Sequence, residues 1–136
     1  MDEADAPRER SSPRGHVTLR RIGARRLSVV LHGQLVDEDG EFIAAWLDEL
    51  LPVCEQAVVD FRLDELESYT PAVRILTQQA LLRHPERWTS AITLVRSRIV
   101  AMGVAVAKVA LGGRIEGFTN RDEYEKAIAA ALRRSP

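Results

Sequence analysis

Three hydroxyls stand in a row at Ser68, Tyr69 and Thr70, behind the carboxylates Asp60, Asp64, Glu65 and Glu67 and ahead of Pro71. A phosphoryl group here would sit where a helix begins. Free backbone amides and the positive end of the helix dipole favour negative charge at such a place. Thr70 also has the side chain of a helix N-cap, and Pro71 suits the first helical position, so capping competes with modification at Thr70. The carboxylates lack the spacing and turn glycine of a calcium loop and read as a solvated acidic face. Asp60 differs: at the end of an apolar strand, its side chain suits hydrogen bonds to the backbone of the loop that follows.

The remaining reactive residues exclude more than they suggest. His16, His32 and His84 lie at no metal-ligand spacing, and none has a nucleophile placed to pair with it. The single cysteine, Cys54, rules out an internal disulfide and reads as an inert thiol in an apolar run. No glycine-rich phosphate loop is present, because Leu111-Gly112-Gly113 closes a helix instead of opening one. The expectation is a protein with no catalytic site, no metal and no cofactor. A formal net charge of −1 provides no field to attract nucleic acid. Arg20, Arg21, Arg25 and Arg26 flank the Gly23 turn and read as protection of an exposed sheet edge. No run approaches the ~18 apolar residues of a membrane span, so none is expected. The absence of paired cysteines fits a reducing cytoplasm, the expected location.

The elements that must position these groups follow from periodicity. Residues 1–14 mix both charge signs with prolines and read as a disordered tail, leaving one domain over 15–136 of the 136-residue chain. Alternation at 16–21 and an apolar run at 27–31, joined across Gly23, predict a hairpin. Phe42, Ile43, Trp46, Leu47, Leu50 and Leu51 recur at helical spacing, predicting a helix over 41–51 that Pro52 stops. A strand over 53–59 ends at Asp60. A helix over 71–83 runs from Thr70-Pro71 to His84-Pro85. A strand over 91–95 and a nearly uncharged helix over 99–111 follow. The chain closes with a short strand at 114–118 and a helix opened by Asn120 and Glu123 as a capping-box-like pair. The order β-β-α-β-α-β-α-β-α predicts an α/β fold, a mixed five-stranded sheet with helices packed on it. The 99–111 helix is apolar all round and must be covered on more than one side.

This order, with several short motifs, resembles the STAS domain family, which includes the anti-sigma-factor antagonists. Val59-Asp60-Phe61 matches the family's strand ending in Asp, and Gly33-Gln34-Leu35 its Gly-x-Leu. Phe118-Thr119-Asn120 fits the approach to its last helix. Ser68-Tyr69-Thr70-Pro71 falls where the family carries an Asp-Ser-Ser-Gly-like loop, with Ser68 in place of the Asp, Tyr69 in place of the phosphorylatable Ser and Pro71 in place of the Gly. The resemblance spans residues 16–134. It implies a non-enzymatic regulatory domain whose partner is a protein, an anti-sigma factor, a kinase-like protein or a signalling complex. The implied partner-binding loop comprises Asp60, Asp64, Glu65, Glu67, Ser68, Tyr69, Thr70 and Arg74, with Ser68 and Thr70 the candidates for phosphorylation. Met102, Val104 and Val106 on the uncharged helix form the candidate face for a homodimer. In the alternative reading, that face binds a small apolar or lipid ligand.

Overall fold

The first strand has no apolar residue, so charge and backbone pairing must hold it, whereas the second puts Val17 and Leu19 into the core and the central strands are apolar on both faces. The computed structural model describes residues 6–134. In chain order it contains β1 (Arg8–Ser11), β2 (Gly15–Ile22), β3 (Arg26–Leu35), α1 (Asp37–Leu50), β4 (Ala57–Tyr69), α2 (Pro71–Arg83), β5 (Trp88–Val95), α3 (Arg98–Ala110), β6 (Ile115–Phe118) and α4 (Arg121–Arg134). A single 3-10 turn, Leu51–Val53, follows α1 and takes up the start of the strand expected at 53–59. Each strand lies beside its predecessor in one sheet. β1, β2 and β3 pair antiparallel, and β3 to β6 pair parallel.

The sheet has six strands, not the expected five. The extra strand, β1, lies within the stretch expected to be a disordered tail, whose residues 1–5 are outside the described residues. Hydrophobic patterning misses β1 because ion pairs secure it. Arg8 and Arg10 alternate onto one face of the strand. Arg8 forms a two-pronged pair with Glu49, and the Arg10 Nε donates to Asp39 at 2.9 Å. Among the described residues β1 pairs only with His16 to Leu19 of β2, so Arg20 and Arg21 lie beyond it on that edge, as the edge reading expects, while Arg25 and Arg26 are engaged within the fold. Arg26 bonds Asp60, Arg25 donates to the Leu132 carbonyl and Arg21 to the Gly23 carbonyl.

Helices α1, α2 and α3 carry the chain between parallel strands and share one core. There Ile43, Leu47, Val73, Leu81 and Val100 meet Val59, Phe61, Leu63, Ala91 and Val95. The alternate residues of the same strands, Val58, Ile92 and Leu94, pack on the opposite face against Tyr124, Ile128 and Ala131 of α4. α1 starts earlier than its apolar stripe suggested. Asp39 is fully buried and its carboxylate accepts the Val36 N–H at 2.8 Å, closing the first turn. At Gly40 α1 meets α2 so closely that a β-carbon would stand 2.8 Å from the Val73 Cα.

α3 meets the sheet along one face and leaves the rest of its apolar surface open. Only Val100 and Ala107 are fully buried. Ile99, Met102, Val106 and Val109 are between 52% and 84% exposed. The helix lies over β6, a strand of four residues, so one narrow stripe finds cover.

Asp39 serves both α1 and β1, which makes it a sensitive position. Asp39→Ala should lower stability by about 2 kcal/mol in urea unfolding, the cost of a lost helix-start bond plus a stranded arginine. Amide exchange should accelerate at residues 8–11 before the rest of the sheet. Unchanged protection there would show that β1 does not depend on this carboxylate.

Candidate functional site

β4 was expected to end at Asp60 and give way to an acidic loop. It continues instead to Tyr69. Pairing with β3 slips twice, between Val30 and His32 and between Gly33 and Gln34. Each bulge adds a residue to β4, so the side chains facing the helices step by three beyond Leu63, to Leu66 and then to Tyr69. This change of step places the carboxylates. Glu65, Glu67 and Ser68 are exposed and Asp64 half-buried, forming an acidic rim at the carboxyl end of a parallel strand. None of these four side chains has a partner among the described residues.

Tyr69 turns inward and lies against α3. A β-carbon at Gly103 would fall on its hydroxyl, so the glycine makes room for the ring. Thr70 occupies the N-cap position of α2, but its hydroxyl does not cap that helix. It donates to Asp37 Oδ1 at 2.5 Å, joining the starts of α1 and α2. A phosphoryl group on Thr70 would therefore meet Asp37, a like-charge contact. Pro71 also removes one of the free amides that would receive it. Ser68 has neither obstacle. Arg74, one turn into α2, is half-buried and donates to Gln78 Oε1 at 2.7 Å.

Asp60 is not a loop residue. It is fully buried in mid-strand and accepts hydrogen bonds from Arg26 Nε at 2.7 Å, Ser28 Oγ at 2.8 Å and the Tyr124 hydroxyl at 2.8 Å. It therefore leaves the set of residues able to touch a partner. Burial, then the charge and hydrogen bond of Asp60, push the Tyr124 hydroxyl far above the ordinary tyrosine range. Burial pulls the Arg26 guanidinium down, but its hydrogen bond and charge pairing with Asp60 leave it raised. Arg26, Ser28 and Tyr124 were missed as a group because they lie far apart in the chain; the one local signal was a tyrosine on the apolar face of the last helix.

The other reactive groups have structural roles. Cys54 is buried, and burial pushes its thiol up, away from reactivity. His16 contacts Ser11 and Glu9, and His84 contacts Asp48. Among the described residues, no group of three or more His, Cys, Asp or Glu side chains could hold a metal ion. No helix of the described residues is long and apolar enough to cross a membrane.

The expected α3 face divides. Met102 and Val106 point outward, while Val104 is half-buried and packs toward β6 at Gly117. Between α2, α3 and the sheet lies a cavity of about 80 Å³, with Phe61, Leu63, Leu66, Val100, Val104 and Ala107 among its walls.

No family model and no curated protein sequence matches this chain. Solved structures do. An uncharacterised protein of the DUF3478 family from Shewanella loihica PV-4, described as having a SpoIIAA-like fold, superposes with a TM-score of 0.63 at 16% identity over 88% of this chain and 98% of that one. The anti-sigma factor antagonist SpoIIAA in its unphosphorylated form gives 0.64 at 14% identity over 83% and 96%. The Bacillus cell fate determinant SpoIIAA in its phosphorylated form gives 0.57 at 14% over 82% and 98%. The chain therefore has the SpoIIAA-like fold of STAS domains. At these identities the likeness concerns the fold.

Two outcomes test the geometry. Tyr124→Phe should cost about 1 kcal/mol at neutral pH, one buried hydrogen bond. Above about pH 10 an unfolded tyrosine loses its proton while folded Tyr124 keeps it, so the wild type is destabilised there and the variant is not. The stability gap measured by urea unfolding should therefore narrow from pH 10 to 11; a constant gap would contradict the assignment. Gly103→Ala should destabilise although alanine favours a helix by about 1 kcal/mol. The loss should shrink when Tyr69 is also replaced by Ala, a coupling read in a double-mutant cycle.

Proposed function

We propose that this chain is a non-enzymatic regulatory domain that binds a protein partner through the rim formed by Asp64, Glu65, Glu67 and Ser68, with Tyr69, Thr70 and Arg74 setting its inner border. The observation that carries this reading is the lack of any internal partner for the four rim side chains at the carboxyl end of β4. In parallel α/β sheets ligands and partners are met at that end of the strands. SpoIIAA is an anti-sigma factor antagonist with unphosphorylated and phosphorylated forms. By analogy the partner is an anti-sigma factor or a kinase-like protein of the cytoplasm, and Ser68 is the hydroxyl best placed for phosphorylation. The Thr70 hydroxyl, held by Asp37, is the poorer candidate.

The exposed apolar residues of α3 extend this surface, and self-association through Met102 and Val106 belongs to the same proposal. A second reading, a small apolar ligand between α3 and the sheet, draws on the cavity there. At about 80 Å³ the cavity is far below the ~300 Å³ at which ordinary ligand pockets begin, which favours a small molecule over a lipid.

Capture from the native cell by wild-type protein should recover a protein that the double variant Glu65→Lys, Glu67→Lys does not. The melting temperature of the variant should stay within a degree or two, since exposed charges far from ion pairs contribute little stability. Recovery of the same partner by both forms would overturn the rim as the contact surface. For self-association, light scattering should give a dimer mass for the wild type and a monomer mass for Val106→Glu; equal masses would remove the α3 contact.

A further inference from the structure

We propose that the outward face of α2 and α3 docks on an anionic bilayer surface, with its apolar stripes between the lipids and its cations at their head groups. This rests on the exposed α3 face that carries the self-association above. A second copy covers Met102 and Val106 in solution, and the bilayer displaces it by covering the whole face. Helical spacing defines that face. On α3, Val100 and Ala107 are buried, while Ile99, Met102, Val106 and Val109 form an exposed stripe at steps of three and four. On α2, Val73 and Ala80 are buried, while Ile75 and Leu82 are exposed. Ile75 and Leu82 stand two residues beyond Val73 and Ala80, and Met102 and Val109 two beyond Val100 and Ala107. Two residues turn a helix by about 200°. Both stripes therefore look away from the sheet, and the two helices are neighbours over one core.

Charge decides what covers this face. α2 and α3 contain no acidic residue, and Glu86 is the only one between Tyr69 and Ile115. Arg98, one turn before Met102, and Lys108, beside Val109, are exposed and form no ion pair among the described residues. The formal net charge of −1 conceals this division, because carboxylates crowd the rim and the first turns of α1 and α4. A second copy brings the same cations to the contact and no carboxylate from α2 or α3 to meet them. An anionic bilayer supplies both hydrocarbon for the stripes and opposite charge for Arg98 and Lys108. No helix of the described residues is long and apolar enough to cross the bilayer, so α2 and α3 lie in the plane of its interface.

The test is co-sedimentation of the whole chain with vesicles of phosphatidylcholine alone and of phosphatidylcholine mixed with phosphatidylglycerol. The wild type should sediment with the mixed vesicles and stay in solution with the neutral ones. Each cation near an anionic surface contributes roughly fivefold, so Arg98→Gln with Lys108→Gln should weaken binding to the mixed vesicles by roughly 25-fold. Arg20→Gln on β2 should leave it unchanged. Leu82→Glu, outside the α3 contact between copies, should stay in solution with both vesicles while keeping the wild-type mass in light scattering; Val109→Glu gives the same vesicle readout if Leu82→Glu fails to fold. Equal sedimentation with both vesicles would overturn the recognition of anionic lipid. Sedimentation of both glutamate variants like the wild type would overturn the face. Sedimentation of the wild type with neither vesicle, its dimer mass retained, would overturn the bilayer and leave self-association standing. A monomer mass and no sedimentation would overturn both.

Discussion

A buried carboxylate needs partners for its lone pairs, and the fold is tied together by the way Asp60 obtains them. Its donors come from β3, through Arg26 and Ser28, and from α4, through Tyr124. The neighbouring positions of β4, Val58 and Val59, pack on opposite faces of the sheet. Asp60 thus sits where the two packing layers share a strand. A hydrophobic residue there would fill space without fixing how α4 sits on the sheet. The three hydrogen bonds specify that placement, as buried polar groups do where they select one arrangement among several.

The same strand changes character beyond Leu63. Its first half is buried on both faces; its second half presents carboxylates outward and single apolar side chains inward. Two bulges produce this asymmetry, and they bring Tyr69 onto α3 while leaving Ser68 in solvent. The rim, the aromatic ring and the cavity are therefore one continuous piece of chain, seen from three sides. A shift of Tyr69 would alter the cavity lining and the chain between Ser68 and Thr70 together.

What the sequence revealed depended on how local the determining physics was. α2 was legible to the residue because Thr70-Pro71 and His84-Pro85 punctuate it. The second half of β4 was not, because its bulges replace a period of two with steps of three, a spacing that resembles neither strand nor helix. β1 was hidden for a different reason: Arg8 and Arg10 find their carboxylates on α1, forty-one and twenty-nine residues away. The rim residues were identifiable by type, being charged and crowded. Asp60 was misplaced because the donors that fix it lie at positions 26, 28 and 124. An open face on α3 was legible in its uncharged composition, more than one sheet face can cover; that Val104 turns inward while Met102 and Val106 stay outside was not, because the short β6 decides which stripe finds cover.

The sheet in which every strand lies beside its predecessor has a consequence for how the molecule assembles. Each new strand finds its docking edge already formed by the segment just before it, so the layers can grow from the amino end without waiting for distant chain. Each parallel pairing still waits for the helix between the two strands, so the sheet grows in chain order but not quickly. α4 stands outside this progression. It crosses to the other face and supplies Tyr124 to a carboxylate that β3 alone, through Arg26 and Ser28, leaves uncovered on that side. α4 thus bolts the opposite face of a sheet otherwise built in chain order.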